Sequence, residues 1–363
     1  MNRFLPDVLI HTTEMMKNKH VAVIGGGIAG MEAASVLARQ GLKVTLVEKQ
    51  KATGGKLNDW HHLFPDFSSP GVVVENLDKK TVRAGVNVVC HTEISHIERN
   101  NGRFELSDQR DVKIFADAVI VASGFHVFDA TLKEEYGYGL FSNVITSVDF
   151  ERRMKKHGKL LTLQGTEPRR VAIIHCVGSR DAKVGNIYCS KVCCITGIKQ
   201  AIEINKMLPE CEVFCFYMDL RLYGSKFDSL YLEAQKRHKI QFIRGRLSEA
   251  AERPDKSLQL KAEDTLQGRP LRMNVDLVIL LVGMEPALSN SSLMRNNQMK
   301  PDENGFFRSV NMHEARNVGT QEGIFMAGTA ICPMAVNETL ENARSAALEV
   351  MNFLRTDKNH GGF

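Results

Sequence analysis

Gly25, Gly27 and Gly30, set between a short apolar strand and an apolar helix, restrict this chain more than any other feature of it. From Val21 to Lys49 the sequence reads VAVIGGGIAGMEAASVLARQGLKVTLVEK. Val21 to Ile24 has the make-up of a buried strand. Ile28, Met31, Ala34, Val36 and Leu37 give the following segment an apolar helical face, and Gly41 ends it. A second strand, Lys43 to Val47, then delivers Glu48. This is a βαβ unit of about the expected 30 residues. Its first glycine permits a tight turn, its second lets a pyrophosphate approach the backbone, and its third lets helix and sheet pack closely. The helix N-terminus then presents free N–H groups and partial positive charge to the phosphates. Glu48 is placed to accept hydrogen bonds from an adenosine ribose. The plainer alternative is a glycine-rich turn with no ligand. Strand, helix, second strand and terminal acid all agree with the dinucleotide reading.

The rest of the chain is read around that unit. A length of 363 residues suggests about two domains at roughly 150 residues each. With 43% hydrophobic and 25% charged residues, it can build a core without staples. The net charge of +5 comes from scattered basic residues interleaved with acids, so no nucleic-acid face is expected. No apolar run approaches the roughly 18 residues of a membrane span. The opening MNRFLPDVLIHTTEMMKNKH lacks the pattern of a secretory signal, so residues 1–19 are read as an extension. Eight cysteines, clustered rather than dispersed, point to a reducing compartment with metal or redox use. The expected location is the cytoplasm.

Further along, a helix is expected to end near Gly85. Alternating segments at Val86–Val89, Arg103–Leu106 and Val112–Phe115 suggest a small antiparallel layer. Ala118 to Ala122 is an apolar strand ending at Ser123-Gly124. A basic helix near 148–157 leads to a second α/β section whose first strand, Val171 to Ile174, runs into Cys176. A helix is expected over about Ile195–Met207, with strands at Val213–Tyr217, Ile240–Ile243, Leu258–Lys261, Val275–Val282 and Gly323–Ala327. A long helix, about Val336–Leu354, closes the sequence.

The second distinctive feature is a run of thiols. Cys176 and Cys189 are separated by twelve residues, Cys193 follows after three more, and Cys194 is its neighbour. Four soft thiolates from one short stretch can enclose an iron–sulfur cluster. Two other readings stand beside it. One is a redox dithiol, Cys189/Cys193 or a vicinal Cys193–Cys194 pair. The other is plain buried cysteine, common in cores. Cys90, Cys211 and Cys215 read as core. Cys332-Pro333 lacks the upstream cysteines of a ferredoxin motif. His61 and His62 beside Trp60 read as surface histidines, the alternative being a place near a bound cofactor. Glu338, Glu341 and Arg344 read as an ion-paired helix face.

Three separated stretches, the opening turn, Val121-Ala122-Ser123-Gly124 and Phe325-Met326-Ala327-Gly328-Thr329, together resemble the signatures of FAD-binding flavoproteins with two dinucleotide domains. That resemblance implies an α/β fold of the glutathione/thioredoxin reductase type, its FAD domain split over 20–155 and 281–363 around an inserted second Rossmann-like domain, 156–280. It assigns FAD to Gly25, Gly27, Ala29, Gly30, Glu48, Lys49, Gly55, Lys56, Ala122, Gly124, Gly328 and Thr329. The family commonly has Asp where this chain has Thr329. The second turn, Ile174-His175-Cys176-Val177-Gly178-Ser179-Arg180, lacks the three glycines, so NAD(P)H binding there is expected to be lost or weakened.

HCVGSRD followed by NIYCSKVCCITGIKQA is similar to the A-type flavin subunit of heterodisulfide reductase and its short relatives in sulfur-oxidising and sulfate-reducing microbes. The resemblance implies a [4Fe–4S] cluster on Cys176, Cys189, Cys193 and Cys194. It implies that Lys199 neighbours the flavin ring and tunes it; the alternative is a solvated helix lysine. It further implies an electron-transfer oxidoreductase subunit in sulfur metabolism, partnered by B- and C-type subunits and a small electron carrier, and a homodimer. The alternative function is a self-contained FAD-dependent dithiol oxidoreductase.

Overall fold

The computed structural model describes residues 18–110, 112–297 and 299–356. Of the expected extension, residues 1–17 lie outside the described residues. The chain divides into two units. The first comprises residues up to Asn58, Gly71–His126 and Glu285 onward; the second comprises Asp59–Pro70 and Val127–Met284.

The first unit is built on a seven-stranded sheet. Its order is Ser309–Asn311, Ala315–Gly319, Ile324–Met326, Ala118–Val121, His20–Ile24, Lys43–Val47 and Asn87–Val89. The five strands from Ile324–Met326 to Asn87–Val89 pair in parallel. The central ones are apolar on both faces: Val21, Ala22 and Val23 are fully buried, as are Ala118 to Val121. This follows from parallel strands being covered on both sides. The helix Ile28–Arg39 lies against the closing helix Val336–Thr356. Small residues line the contact: Ala33, Ala34, Ala343, Ala346 and Ala347 are all fully buried. Glu32, 2% exposed, is held there by Arg344 at 2.7 Å and Lys80 at 3.3 Å. Arg344 therefore pairs across the helix contact with a buried carboxylate rather than within a solvent-facing set with Glu338 and Glu341.

A three-stranded antiparallel layer, His96–Asn100, Arg103–Ser107 and Lys113–Ala116, adds to this unit. The expected member Val86–Val89 is not in it. Asn87–Val89 instead pairs in parallel with Lys43–Val47 as the sheet edge. A three-residue strand carries no periodicity that could name its partner.

The second unit holds a five-stranded parallel sheet in the order Gln241–Arg244, Glu212–Tyr217, Arg170–Val177, Leu277–Val282 and Val144–Thr146. An antiparallel meander of Leu247–Glu252, Leu258–Asp264 and Arg269–Val275 accompanies it. The expected strand Val275–Val282 is therefore two strands that meet at Asp276. The Asp276 carboxylate accepts the backbone N–H groups of Arg169 and Arg170 at 2.7 and 2.9 Å, which fixes the break. The expected boundary near 155 also moves. Val144–Thr146 is already a member of the second sheet, and Thr146 caps the helix Ser147–His157 through a reciprocal box with Asp149. The loop Asp59–Pro70 joins the same unit because Phe64 and Phe67 pack on its core and the His61 N–H is held by Glu151 at 3.0 Å.

Candidate functional site

In the first unit the three separated stretches converge. Gly25 sits at φ +107°, and a Cβ there would lie 2.3 Å from the Ala122 carbonyl oxygen. At Gly30 it would lie 1.9 Å from the Gly25 oxygen. At Gly27 it would meet nothing within 4 Å. Two glycines are thus required by the turn itself, while the third faces open space at the start of the helix. Gly27 is the N-cap and provides no side chain to the helix, so the first-turn N–H groups await an outside acceptor. Gly328 lies against Ala29, its nearest neighbour to a built Cβ at 2.7 Å, and Gly124 faces Thr329. The Gly328 N–H is held by Asn342 at 2.7 Å. This donor set and the room beside Gly27 fit an anionic pyrophosphate.

Glu48 ends the second strand as expected and is 7% exposed. Its carboxylate accepts N–H bonds from Gly26 at 2.6 Å and Gln50 at 2.7 Å. A side chain at Gly26 would run into Glu48 at 2.9 Å. Gly26 is therefore a constrained position that the three-glycine pattern does not mark. Gly55 lies beside Gly27, at the Gly27–Gly54 bridge. Lys56 stands over the Phe125 ring at 5.1 Å. Lys49 turns outward to Glu93 at 3.5 Å, with both side chains well exposed, and stands apart from the turn. Cys332, also in this unit, contacts Arg316 at 2.7 Å.

In the second unit the strand Arg170–Val177 shifts register between Ile174 and Val177, and Cys176 adopts φ +60°. Left-handed backbone is costly for a non-glycine residue. Arg180 at φ +56° and Lys191 at φ +65° repeat it within the same loop. That strained loop delivers Cys176 and Cys189 to the N-terminus of the helix Cys193–Met207, whose first two residues are Cys193 and Cys194. The four thiols act on one another electrostatically. Burial, with Cys194 next, pushes the Cys176 thiol up to about 12. Burial and the other three thiols push Cys193 well above the ordinary value, and burial raises Cys194. Burial thus favours the protonated form of Cys176, Cys193 and Cys194, and a metal centre there would have to displace the protons. N–H groups already point at two of the sulfurs: Lys191 at Cys189, 3.3 Å, and Arg221 at Cys194, 3.5 Å. Arg180 faces Cys176 and Cys189 and is paired with Asp219. Four convergent thiols, backbone donors and a nearby guanidinium fit an anionic cluster.

His175, absent from the expectations, is buried with neither ring nitrogen hydrogen-bonded. Burial drives its pKa down to about 3, so the ring is neutral. It packs against Gly197 of the cysteine helix, where a Cβ would come 2.8 Å from Nε2.

Lys199 is not a solvated lysine. It is 1% exposed and paired with Glu151 and with Glu203, the latter at 3.1 Å. Burial works to raise the Glu151 carboxyl, but Lys199 and Gln200 together hold it below the ordinary range. In Glu203 burial wins and the carboxyl is raised. His62 Nδ1 lies 2.7 Å from Glu203, so the two histidines are also more engaged than surface histidines would be. Lys199–Glu203 is an i,i+4 pair on one helix, whereas Lys199–Glu151 and His62–Glu203 link segments far apart in the chain, beyond the reach of helical spacing. Cys211 and Cys215 are buried as core, and Cys90 is half-buried.

The comparisons agree with this architecture. The family model of the pyridine nucleotide-disulphide oxidoreductases matches residues 19–349, and the chain belongs to that family of oxidoreductases. The chain is 30% identical to the A-type iron-sulfur subunit of the CoB–CoM heterodisulfide reductase of Methanocaldococcus jannaschii, covering 92% of this chain and 64% of the relative. It is 28% identical to the A-type subunit of the H2:CoB-CoM heterodisulfide,ferredoxin reductase of Methanothermobacter marburgensis, over 90% and 62%. The chain thus spans less than two thirds of the length of these relatives. Among solved structures, Lactococcus lactis thioredoxin reductase superposes with a TM-score of 0.66 at 18% identity, covering 93% of this chain and 99% of that one. The T. acidophilum enzyme gives 0.65 at 19%, over 92% and 99%. These two share the fold. Among the described residues no helix is long and apolar enough to cross a membrane.

Proposed function

We propose that this chain carries FAD in its first unit and a [4Fe–4S] cluster in its second, and that it serves as an electron-transfer subunit of a heterodisulfide-reductase-like complex in sulfur metabolism. The observation that carries the reading is the convergence of Cys176, Cys189, Cys193 and Cys194 between a strained loop and one helix start. The names of the relatives, an iron-sulfur subunit among them, support it. FAD exchanges two electrons and a cubane one at a time, so a protein holding both can join pair chemistry to a single-electron carrier.

The chain's own residues have distinct parts in this proposal. The helix at Gly27 neutralises a pyrophosphate with backbone N–H groups and its dipole. Glu48 would exchange its backbone partners for a ribose. The N–H groups of Lys191 and Arg221 stabilise charge on two cluster sulfurs, and Arg180 adds a cation beside two of them. Lys199 is proposed to favour electron uptake by the flavin, its charge held by Glu151 and Glu203. B- and C-type subunits and a small electron carrier are the proposed partners, with a cytoplasmic homodimer as the proposed setting.

The test is Cys193→Ser in protein prepared without oxygen. Iron is expected to disappear while flavin absorbance persists. Retention of iron, or rapid flavin reduction by NADH or NADPH in an iron-free wild-type protein, would replace this reading with a dithiol oxidoreductase.

A further inference from the structure

We propose that His61, His62 and Glu203 form a binding site for a divalent transition metal of the zinc class, separate from the cysteine quartet and argued from its own geometry. Their ligand atoms all lie within 4.8 Å of one another. The imidazole centroids are 3.8 Å apart and tilted by 41°, so the two rings are in close, tilted contact. Ligands on a tetrahedral ion with bonds of roughly 2.0–2.2 Å sit about 3.3–3.6 Å apart. Side-chain rotations that open the 2.7 Å contact between His62 Nδ1 and Glu203 and draw in the longer separations bring the group to that size.

The charge balance favours a cation. Glu151 and Glu203 are both buried, at 5% and 7% exposed, and share one ammonium, that of Lys199. Gln200 reaches Glu151 at 2.7 Å but is neutral. Two carboxylates against one lysine leave one buried negative charge, which is expensive unless compensated. It falls on Glu203, because Glu151 takes Lys199, Gln200 and the His61 N–H. The Glu203 oxygens are divided. Oε2 lies 3.1 Å from Lys199 without hydrogen-bonding geometry, and Oε1 faces His62 Nδ1. Two imidazoles and a carboxylate are a zinc-type donor set, and three protein ligands leave a position for water or a further ligand. Both histidines are only half-buried, so the site has a route from solvent.

The test uses the anaerobically prepared protein with its flavin and any cluster in place, stripped of loose metal and titrated with Zn2+. One tight equivalent is expected, with X-ray absorption at the zinc edge showing nitrogen and oxygen neighbours and no sulfur. Glu203→Gln is expected to weaken it at least about tenfold. The double variant His61→Asn/His62→Asn alters half-exposed side chains and so keeps the fold; it is expected to abolish that equivalent. Absence of the equivalent, a sulfur shell, or unchanged binding in the double variant would overturn the proposal.

Discussion

Gly27 and Gly30 stand three residues apart and answer to different demands. Gly30 serves the fold, because its missing Cβ lets the Gly25 carbonyl approach. Gly27 is extended, at φ −71°, with open space where a side chain would go. Gly30→Ala is therefore expected to cost about 1–3 kcal/mol through overpacking. Gly27→Ala is expected to change stability by under about 0.5 kcal/mol while lowering flavin content. Thermal melts and flavin absorbance of the two variants check the contrast; equal loss of stability in both would refute it. The glycine pattern was legible because backbone geometry allows few residues there. Gly26 was not, since its need arises from Glu48, 22 positions away. Lys199 was misleading in a different way. Nothing local separates a buried lysine from an exposed one until the helix carrying Glu151 is in place.

Among the elements, the helix Ser147–His157 shows how a local signal supports a distant pair. Its box between Thr146 and Asp149 fixes the first turn, and Glu151 follows two residues later to meet Lys199. Thr146→Ala is expected to cost about 1 kcal/mol and to leave the iron content unchanged, as read by denaturant melts and iron assay. The loop bearing Cys189 has an anchor of another kind. Lys133 pairs with Asp181 at 2.9 Å, with side chains 5% and 3% exposed. Burial works to raise the Asp181 carboxyl, but Lys133 and its other partners hold it below the ordinary range. A depressed carboxylate adds stability above its unfolded pKa and loses that contribution as pH falls through the folded one. Lys133→Met is thus expected to cost about 3–5 kcal/mol near neutrality, and the gap from wild type is expected to shrink only below about pH 4, as Asp181 protonates. A gap that stays constant with pH would show that the pair does not act through charge. Strand positions were mostly legible from apolar runs, as with Glu212–Tyr217 and Leu258–Asp264. Sheet membership was not, as Asn87–Val89 shows, because pairing depends on neighbours that periodicity does not reveal.

For the whole molecule, the division of labour follows from the two sheets. One ends its central strand in a glycine turn with space for phosphates. The other ends its corresponding strand in a strained turn that spends its exit on a cysteine. On the proposed reading the same architecture presents an anion-binding backbone in one unit and a cysteine site for a cluster in the other. On this account added NADH or NADPH leaves the flavin oxidised over the time of a stopped-flow experiment; fast bleaching of the flavin would show that the second turn still takes a nicotinamide. The most direct measurement is the ratio of iron and acid-labile sulfide to flavin in protein purified without oxygen. The account predicts about four of each per FAD, as a four-thiolate cubane requires. A flavin-loaded, metal-free protein with these thiols bridged or simply packed would contradict it.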